Sequence, residues 1–369
     1  MRFKVLCAIT AAAMTATTAT AADSDLTASL KAGTPQIKSA GPLTFGPDGV
    51  LFVGDTQGAA VFAIDTGDRT GGREKAPINV EGIAEKVAAR LGTDVKNVLI
   101  NDVAVNPASG KAYLSVSRGR GPEATPVLLR VGGDAAIEEV SLENVRFAKA
   151  DVPNPPAPGA TQRGQSLRAE SITDLAYVDG RLFVAGLSNE EFSSRLIALP
   201  FPFQGQADGA AIEIYHGAHG RFETKSPVRT FVAYQINGAP HLLAAYTCTP
   251  LVKVPVADLK PGAQVKGTTI AELGNRNRPL DMIVYQKGGK DYLLLANNSR
   301  GVMKIPTEGA ADAKSITAPV GGGGTQGMAY ETIASMKGVE QLDRLGDGHA
   351  LVLVRDDAGT LCLQTVSLP

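Results

Sequence analysis

Three aspartates begin short apolar segments that recur along the chain: Asp102-Val-Ala-Val105, Asp174-Leu-Ala-Tyr177 and Asp281-Met-Ile-Val284. If equivalent positions of a repeat converge on folding, three carboxylates meet. A divalent metal, Ca²⁺ or a transition metal, takes several oxygen ligands and offsets the repulsion between such acids. Without a metal, one acid is expected to have a raised pKa and to act as a general acid or base. Alternatively, each aspartate caps its strand through local backbone hydrogen bonds or pairs with an arginine.

Two histidines lie close together in His216-Gly-Ala-His219, and Glu223 follows them. With Glu223 they could form a metal site with nitrogen and oxygen ligands, although this spacing is not a zinc motif by itself. We predict that His219 and Glu223 are the catalytic residues that move protons. Cys248 lies between two threonines. It could be a nucleophile or a soft metal ligand near the substrate; the alternative is a buried structural thiol.

Several arginines map to the same predicted face as the aspartates. Arg118, Arg229 and Arg300 are predicted to bind substrate, together with Asn275 and Cys248. Guanidinium groups bind carboxylates and phosphates with two parallel hydrogen bonds, which favours an anionic ligand. The alternative is that these arginines pair with nearby acids and hold neighbouring structural units together.

These residues flank a repeated pattern, in which an apolar strand, a glycine-containing turn and a second apolar strand follow one another. The first strands of the six copies are Pro42–Phe45, Asp102–Val105, Asp174–Tyr177, Arg229–Val232, Asp281–Val284 and Gly327–Tyr330. A third strand follows each pair and a fourth follows several. Such units cannot bury their own faces alone, and the pattern predicts an all-β protein, a six-bladed β-propeller. A β-sandwich or two small β-domains would be the alternative.

The sixth copy lacks an outer strand, and Pro35–Ser39 is predicted to supply it, so that an N-terminal strand closes the last blade. The segment Gly82–Leu91 has apolar residues at helical spacing and is predicted to be a helical insert. In a propeller the inner strands all begin at one face, and the residues named above therefore converge at one end of the central channel. The long connection over residues 147–171 is predicted to fold over that opening.

The stretch Phe45-Gly-Pro-Asp-Gly-Val-Leu-Phe-Val-Gly-Asp55 resembles the blade signature of six-bladed propellers of the SMP-30/gluconolactonase, NHL and strictosidine-synthase-like group. The resemblance implies the propeller fold over most of the chain. Enzymes of that group use glutamate, asparagine and aspartate around a divalent metal in the channel. This sequence does not match that set residue by residue, so the resemblance concerns the fold.

Composition narrows the possible partners. The 369 residues carry 36 Lys+Arg and 37 Asp+Glu, for a net charge of −1, without the basic excess that non-specific nucleic-acid binding needs. Aromatic residues are 5% of the chain and tryptophan is absent, which argues against broad stacking platforms. We therefore expect a small-molecule ligand and no nucleic acid.

The N-terminus has the parts of a secretory signal. Arg2 and Lys4 precede a weakly apolar run, and Ala19-Thr-Ala21 provides a small-residue cleavage site. This predicts a signal peptide over residues 1–21 and a single propeller domain over 22–369, located in the periplasm or secreted. The apolar run is shorter than the ~20 residues that span a bilayer, so no membrane span is expected.

Together these observations predict an exported, metal-dependent hydrolase or lyase that acts on a small anionic or ester-like substrate at the channel opening. Asp102, Asp174 and Asp281 would hold the metal, which would polarise the substrate or activate water. The alternative is a non-catalytic propeller that binds a ligand or a periplasmic protein partner, as an accessory to a redox enzyme. Fold does not decide between them.

Overall fold

The computed structural model describes residues 26–71, 75–204, 208–248 and 250–369. The predicted signal peptide, residues 1–21, lies outside the described residues. The described chain forms a six-bladed β-propeller, as predicted. None of its described helices is long and apolar enough to cross a membrane.

Strands are numbered in chain order, and blades by the order of their inner strands. Blade 1 contains β2 (Leu43–Phe45), β3 (Val50–Asp55), β4 (Ala60–Asp65), β10 (Val145–Asp151) and β1 (Lys31–Gly33). Blade 2 contains β6 (Val98–Val105), β7 (Ala112–Arg118), β8 (Thr125–Val131) and β9 (Ile137–Glu139). Blade 3 contains β13 (Asp174–Val178), β14 (Arg181–Leu187), β15 (Ser194–Pro200) and β16 (Asp208–His216), with β17 (Arg221–Glu223) and β21 (Gln264–Lys266) on β16.

The remaining blades follow the same plan. Blade 4 contains β18 (Val228–Ile236), β19 (Ala239–Tyr246), β20 (Pro250–Pro255), β22 (Thr268–Leu273) and β26 (Thr325–Gly327). Blade 5 contains β23 (Pro279–Lys287), β24 (Lys290–Asn297), β25 (Gly301–Pro306) and β27 (Glu331–Ile333). Blade 6 contains β28 (Val339–Leu345), β29 (His349–Arg355), β30 (Leu361–Ser367) and β5 (Asn79–Val80). A separate hairpin pairs β11 (Thr161–Gln162) with β12 (Gln165–Ser166).

Helical segments are short. The α-helix α1 (Ile83–Arg90) confirms the predicted insert, and it packs Ile83 and Val87 between blades 2 and 6. The 3₁₀ segments are Leu26–Ser29, Pro47–Gly49, Val95–Asn97, Gly121–Glu123, Arg168–Glu170, Val256–Asp258 and Ala334–Met336.

The strands form because their sequences suit sheets that are covered on both faces. All residues of β3 are buried, as expected for apolar runs packed between neighbouring blades. The hairpin turns use residues that tolerate a positive φ: Asp179 and Gly180 have φ of 48° and 74°, and Asn237 and Gly238 have φ of 51° and 75°. Two consecutive positive φ values match the twist of antiparallel strands and keep each hairpin tight.

The order of blades around the ring differs from their order along the chain. The inner strands pack as neighbours in the sequence β6, β2, β13, β18, β23, β28 and back to β6. Apolar clusters lie at each of these junctions; one joins Phe52 of blade 1 to Leu182 of blade 3, and another joins Val116 of blade 2 to Leu353 of blade 6. Blade 1 therefore stands between blades 2 and 3, although it comes first along the chain.

This order explains how the ring closes and corrects the predicted closing strand. The outer strand of blade 6 is β5, in which Asn79 and Val80 pair with Gln364 and Leu363. Pro35–Ser39 forms no strand there. Blade 1 does not border blade 6, so the segment before it cannot reach β30. The segment that connects blade 1 to blade 2 passes the outer edge of blade 6 and supplies the closing strand.

One further assignment was wrong. Gly327–Tyr330 is not the inner strand of blade 6, because Thr325–Gly327 forms β26 at the outer edge of blade 4. The inner strand is β28, which begins at Val339. A short apolar run before a glycine-rich segment resembled a strand start, whereas β28 mixes polar and apolar residues along a channel that contains acids.

Candidate functional site

The inner strands carry bulges that set which side chains point to the channel. The pairing register skips one residue before Asp102 in β6, before Asp281 in β23 and before Gln341 in β28. A similar skip precedes Thr230 in β18. A bulge re-aims a side chain without ending the strand. These residues and Asp174 at the start of β13 therefore form one level of the channel.

The three predicted aspartates meet at this level, and each links two blades. The Asp102 carboxylate accepts the backbone N–H of Val103 at 2.8 Å through Oδ1 and that of Leu43 at 2.7 Å through Oδ2. Leu43 belongs to the next blade of the ring.

Asp174 and Asp281 repeat this arrangement. The second oxygen of Asp174 accepts the N–H of Phe231 at 2.8 Å, and that of Asp281 accepts the N–H of Leu342 at 2.8 Å. The local backbone hydrogen bonds considered as the alternative for these aspartates are therefore present, with a second bond that crosses to the neighbouring blade.

A fourth aspartate, Asp343, also accepts one local backbone N–H and one from a neighbouring blade, and it lies two residues after Gln341 in β28. Its oxygens accept the N–H of Arg344 at 2.7 Å and the N–H of Val105 at 2.7 Å. This residue was missed because the inner strand of blade 6 was assigned too early in the chain. The alternation within Val339–Leu345 was the available signal.

Gln341 bridges two of the carboxylates. With its amide nitrogen turned toward them, the orientation that satisfies both amide atoms, it donates to Asp102 Oδ1 at 3.2 Å and to Asp281 Oδ2 at 2.9 Å. Together with Asp174 and Thr230 these side chains surround a cavity of about 50 Å³. They form a constriction that separates the two ends of the channel.

Burial perturbs the acid–base properties of the constriction. Removal from water raises the pKa of Asp102 and Asp281 well above the usual range, and repulsion among the aspartates adds to this. Burial also raises the pKa of Asp174 to about 7 and that of Asp343 to about 6, although backbone N–H groups act in the opposite direction. Oxygens that accept a single backbone N–H, such as Asp102 Oδ2 and Asp281 Oδ1, keep a further lone pair and can hold a proton near neutral pH.

A larger cavity of about 740 Å³ opens above the constriction, and we call it the channel mouth. Six residues line both this cavity and the smaller one below it: Pro42, Asn101, Thr173, Arg229, Leu280 and Gln341. The hairpin that includes Thr161 and Ser166 forms part of its wall, as does Glu170. The connection predicted to fold over the opening therefore lines it.

The charged lining of the channel mouth is mainly basic. It consists of Lys38, Arg229 and Arg278 against the single acid Glu170. Arg229 forms an ion pair with Glu170 and donates to Thr247 Oγ1 at 3.1 Å. Burial lowers the pKa of Arg229, partly opposed by Glu170 and assisted by repulsion from Arg278. Among the described residues, the Arg278 side chain has no ion pair.

A second cluster lies between blades 3 and 4, outside the lining of the channel mouth. His216 ends β16, His219 lies in the turn to β17, and Glu223 ends β17. Cys248 follows β19 of the next blade and has a positive φ of 62°. One nitrogen of each imidazole and the Cys248 Sγ lie within 4.8 Å of one another. In the described part of the chain this is the one such group of metal-ligating atoms, and the three aspartates do not form another.

Glu223 holds both imidazoles. Its carboxylate contacts His216 Nδ1 at 2.9 Å and His219 Nδ1 at 2.7 Å, and it accepts the Ser226 hydroxyl at 2.7 Å. Burial alone would raise the pKa of Glu223, but these hydrogen bonds hold it well below its usual value. The Nε2 atom of His216 is buried and has no hydrogen-bond partner in the described structure.

The remaining predicted residues lie apart from both places. Arg118 is exposed at the end of β7, and its nearest acceptor is Leu91 O at 3.5 Å. Arg300 donates to Asn275 O at 3.0 Å, so these two residues pair with each other. The structure thus distributes the predicted site over the channel, the histidine–cysteine cluster and a local loop contact. His219 and Glu223 do not line the cavities that the aspartates line.

No protein-family model matches the sequence, and no curated protein matches it. Solved structures to which the chain is similar include the PQQ-bound aldose sugar dehydrogenase of Streptomyces coelicolor, at 12% identity and a TM-score of 0.33 over 91% of this chain and 96% of that one. The extracellular domains 1–2 of Drosophila semaphorin 1b align at 8% identity and a TM-score of 0.35, over 92% and 87%. The extracellular region of plexin A4 aligns at 8% identity and a TM-score of 0.42, over 92% and 47%. Similarity this low carries no inference about activity.

Proposed function

We propose that this protein is exported and binds a small anionic molecule at the channel mouth, where it acts as a hydrolase or lyase. The observation that carries the proposal is the basic lining of the mouth cavity, Lys38, Arg229 and Arg278 against Glu170, in a protein whose net charge is −1. A concave site with convergent cations is typical of carboxylate or phosphate recognition.

The arginines have different parts in this binding. Arg229 is fixed by Glu170 and Thr247, so its guanidinium is oriented before a ligand arrives. Arg278 is exposed and free of an ion pair within the described residues, so its charge is available to the ligand. A preorganised donor beside an adaptable one reduces the ordering cost of binding.

The acid–base groups for turnover would be the aspartates at the base of the mouth. Asp174 has a pKa of about 7, which suits a group that gives and takes protons near neutral pH. A divalent metal held by Asp102, Asp174 and Asp281, which the sequence predicts, is the alternative to this role. The geometry favours proton transfer over metal binding, because the oxygens of these three aspartates do not form a group within 4.8 Å of one another.

One observation favours the second candidate, a non-catalytic binding propeller that serves a periplasmic redox partner. Each aspartate accepts one local backbone N–H and one from the neighbouring blade, which is a sufficient structural reason for its presence. On this alternative the channel mouth binds its ligand or partner without turnover.

Binding can be tested by calorimetry with inorganic phosphate, succinate and citrate as probes. We expect affinity for at least one of these anions that falls about 10-fold or more in Arg278→Ala, since a charge-assisted hydrogen bond is lost. Arg118→Ala is the matched control, because that exposed arginine lies outside the cavity. Equal affinities for the two variants would contradict the proposed site. Binding without hydrolysis or elimination of ester-bearing analogues would favour the non-catalytic candidate.

A further inference from the structure

We propose that His216, His219 and Cys248 bind one transition-metal ion of the zinc or copper type. Two imidazole nitrogens and the Cys248 sulfur all lie within 4.8 Å of one another, close enough for small movements of the side chains to bring them onto one ion. The inference does not depend on the function proposed for the channel mouth.

The free nitrogen of His216 supports this site. His216 is buried, with 2% of its side chain exposed, and its Nε2 has no hydrogen-bond partner in the described structure. Buried polar atoms are nearly always satisfied in native proteins, so an orphaned acceptor next to a thiol needs an explanation. A metal ion at the centre of the cluster provides one.

Glu223 prepares both histidines for binding. Its two oxygens contact the Nδ1 atoms of His216 and His219, at 2.9 Å and 2.7 Å. Donation of Nδ1–H to a carboxylate fixes the tautomer whose Nε2 lone pair is free, and it makes that nitrogen a stronger ligand. Glu223 is therefore a positioning residue of the proposed site.

The charge around the cluster also suits a cation. Besides Glu223, the Glu272 side chain approaches the turn, where Oε1 accepts the Gly217 N–H at 2.5 Å. The other oxygen, Oε2, is buried and unpartnered in the described structure. A Cys248 thiolate and the Glu223 carboxylate together would offset the charge of a divalent ion.

The ligand types select the metal. Thiolate and imidazole suit zinc and copper, whereas Ca²⁺ and Mg²⁺ require oxygen ligands. Three protein ligands leave a fourth position open, as in catalytic rather than structural zinc sites. His219 is 43% exposed, so the ion has a path from solvent. Arg229 of the channel mouth donates to the hydroxyl of Thr247, the residue before Cys248.

The site can be tested with the full-length purified protein after removal of metal by a chelator. Titration with Co²⁺ is expected to show one equivalent bound, with a sulfur-to-cobalt charge-transfer absorption, and Zn²⁺ or copper should displace it. Cys248→Ser should abolish the charge-transfer absorption. His219→Gln should weaken Co²⁺ binding, and Glu223→Gln should weaken it about 10- to 100-fold while the charge-transfer absorption persists.

Two matched controls exclude non-specific binding. Cys362→Ser removes the other free thiol of the described chain, in blade 6, and His241→Gln removes a partly exposed histidine outside the cluster. Both should leave the titration unchanged. If binding exceeds one weak site, or if Cys362→Ser rather than Cys248→Ser removes the charge-transfer absorption, the proposed site is wrong.

A measurement on the unaltered protein covers the case in which Cys248→Ser does not fold. Cys248 is partly exposed, and a thiol-specific reagent should modify it in the metal-free protein. One equivalent of Zn²⁺ should protect it, whereas Ca²⁺ should not. Equal modification of Cys248 with and without Zn²⁺ would overturn the proposal.

Discussion

The channel aspartates and the histidine–cysteine cluster both contain residue types that perform catalysis, but they differ in how their lone pairs are used. In the channel, the backbone N–H groups of two blades occupy the oxygens of Asp102, Asp174 and Asp281. In the cluster, Glu223 takes Nδ1 of each histidine, and His216 Nε2 is left unpartnered in the described structure. The difference indicates that the arrangement of free ligand atoms, more than residue type, separates a cluster that holds protons from one that can hold a metal ion.

The largest effect should come from removal of a channel aspartate. In Asp281→Ala, the N–H groups of Met282 and Leu342 lose their acceptor inside the protein, and the link between blades 5 and 6 is lost. At about 1–3 kcal/mol for each of these two unsatisfied buried groups, we expect the free energy of unfolding to fall by about 2–6 kcal/mol. Urea denaturation measures this.

Asp357→Ala is the control for that variant. This aspartate has 87% of its side chain exposed and contacts Lys337, so its removal should change the free energy of unfolding by no more than about 0.5 kcal/mol. If Asp281→Ala were as mild as the control, the aspartates would not hold the blades together.

A smaller effect should appear as a dependence of stability on pH. The folded protein keeps a proton on Asp174 up to pH about 7, whereas the unfolded chain releases it near pH 4. Between these values the folded state binds more protons, so the stability that Asp174 contributes is complete at low pH and is lost as pH rises toward 7. We expect a lower free energy of unfolding at pH 8 than at pH 5, by about 1–3 kcal/mol.

The pH dependence of the free energy of unfolding also distinguishes protonated aspartates from metal-bound aspartates in the channel. A cation bound to the aspartates would favour their ionised forms and lower their pKa values, which would flatten the dependence. If the free energy of unfolding rose between pH 5 and pH 8 in metal-free protein, the acid–base description of the constriction would be wrong.

The smallest effect should come from the other region. His219 is 43% exposed, and a glutamine amide could donate to Glu223 in its place. His219→Gln in metal-free protein should therefore change the free energy of unfolding by less than about 0.5 kcal/mol. Thermal or urea denaturation checks this. A loss comparable to that of Asp281→Ala would show that the cluster is a structural network and would remove the distinction between the two regions.

The channel could be anticipated from sequence because its residues occupy equivalent positions of a repeat. Asp102, Asp174 and Asp281 each begin an inner strand, and periodicity alone brings them to one level. The cluster could not be found in this way. His216 ends an outer strand of blade 3 and Cys248 follows the second strand of blade 4, and only the packing of these blades brings them together.

The ring order was also beyond sequence reasoning. The copies of the repeat are too alike to reveal that blade 1 stands between blades 2 and 3, and a closing strand as short as Asn79–Val80 has almost no pattern of its own. Asp343 was not predicted as a channel residue for a related reason. The polar residues of β28 interrupt the apolar run that would indicate an inner strand.

The distinction between the two regions can be tested most directly by anomalous diffraction at the zinc absorption edge, from crystals of the full chain grown with Zn²⁺. The account predicts an anomalous peak between His216, His219 and Cys248, and none among Asp102, Asp174 and Asp281. A peak in the channel, or an empty histidine–cysteine cluster, would contradict it.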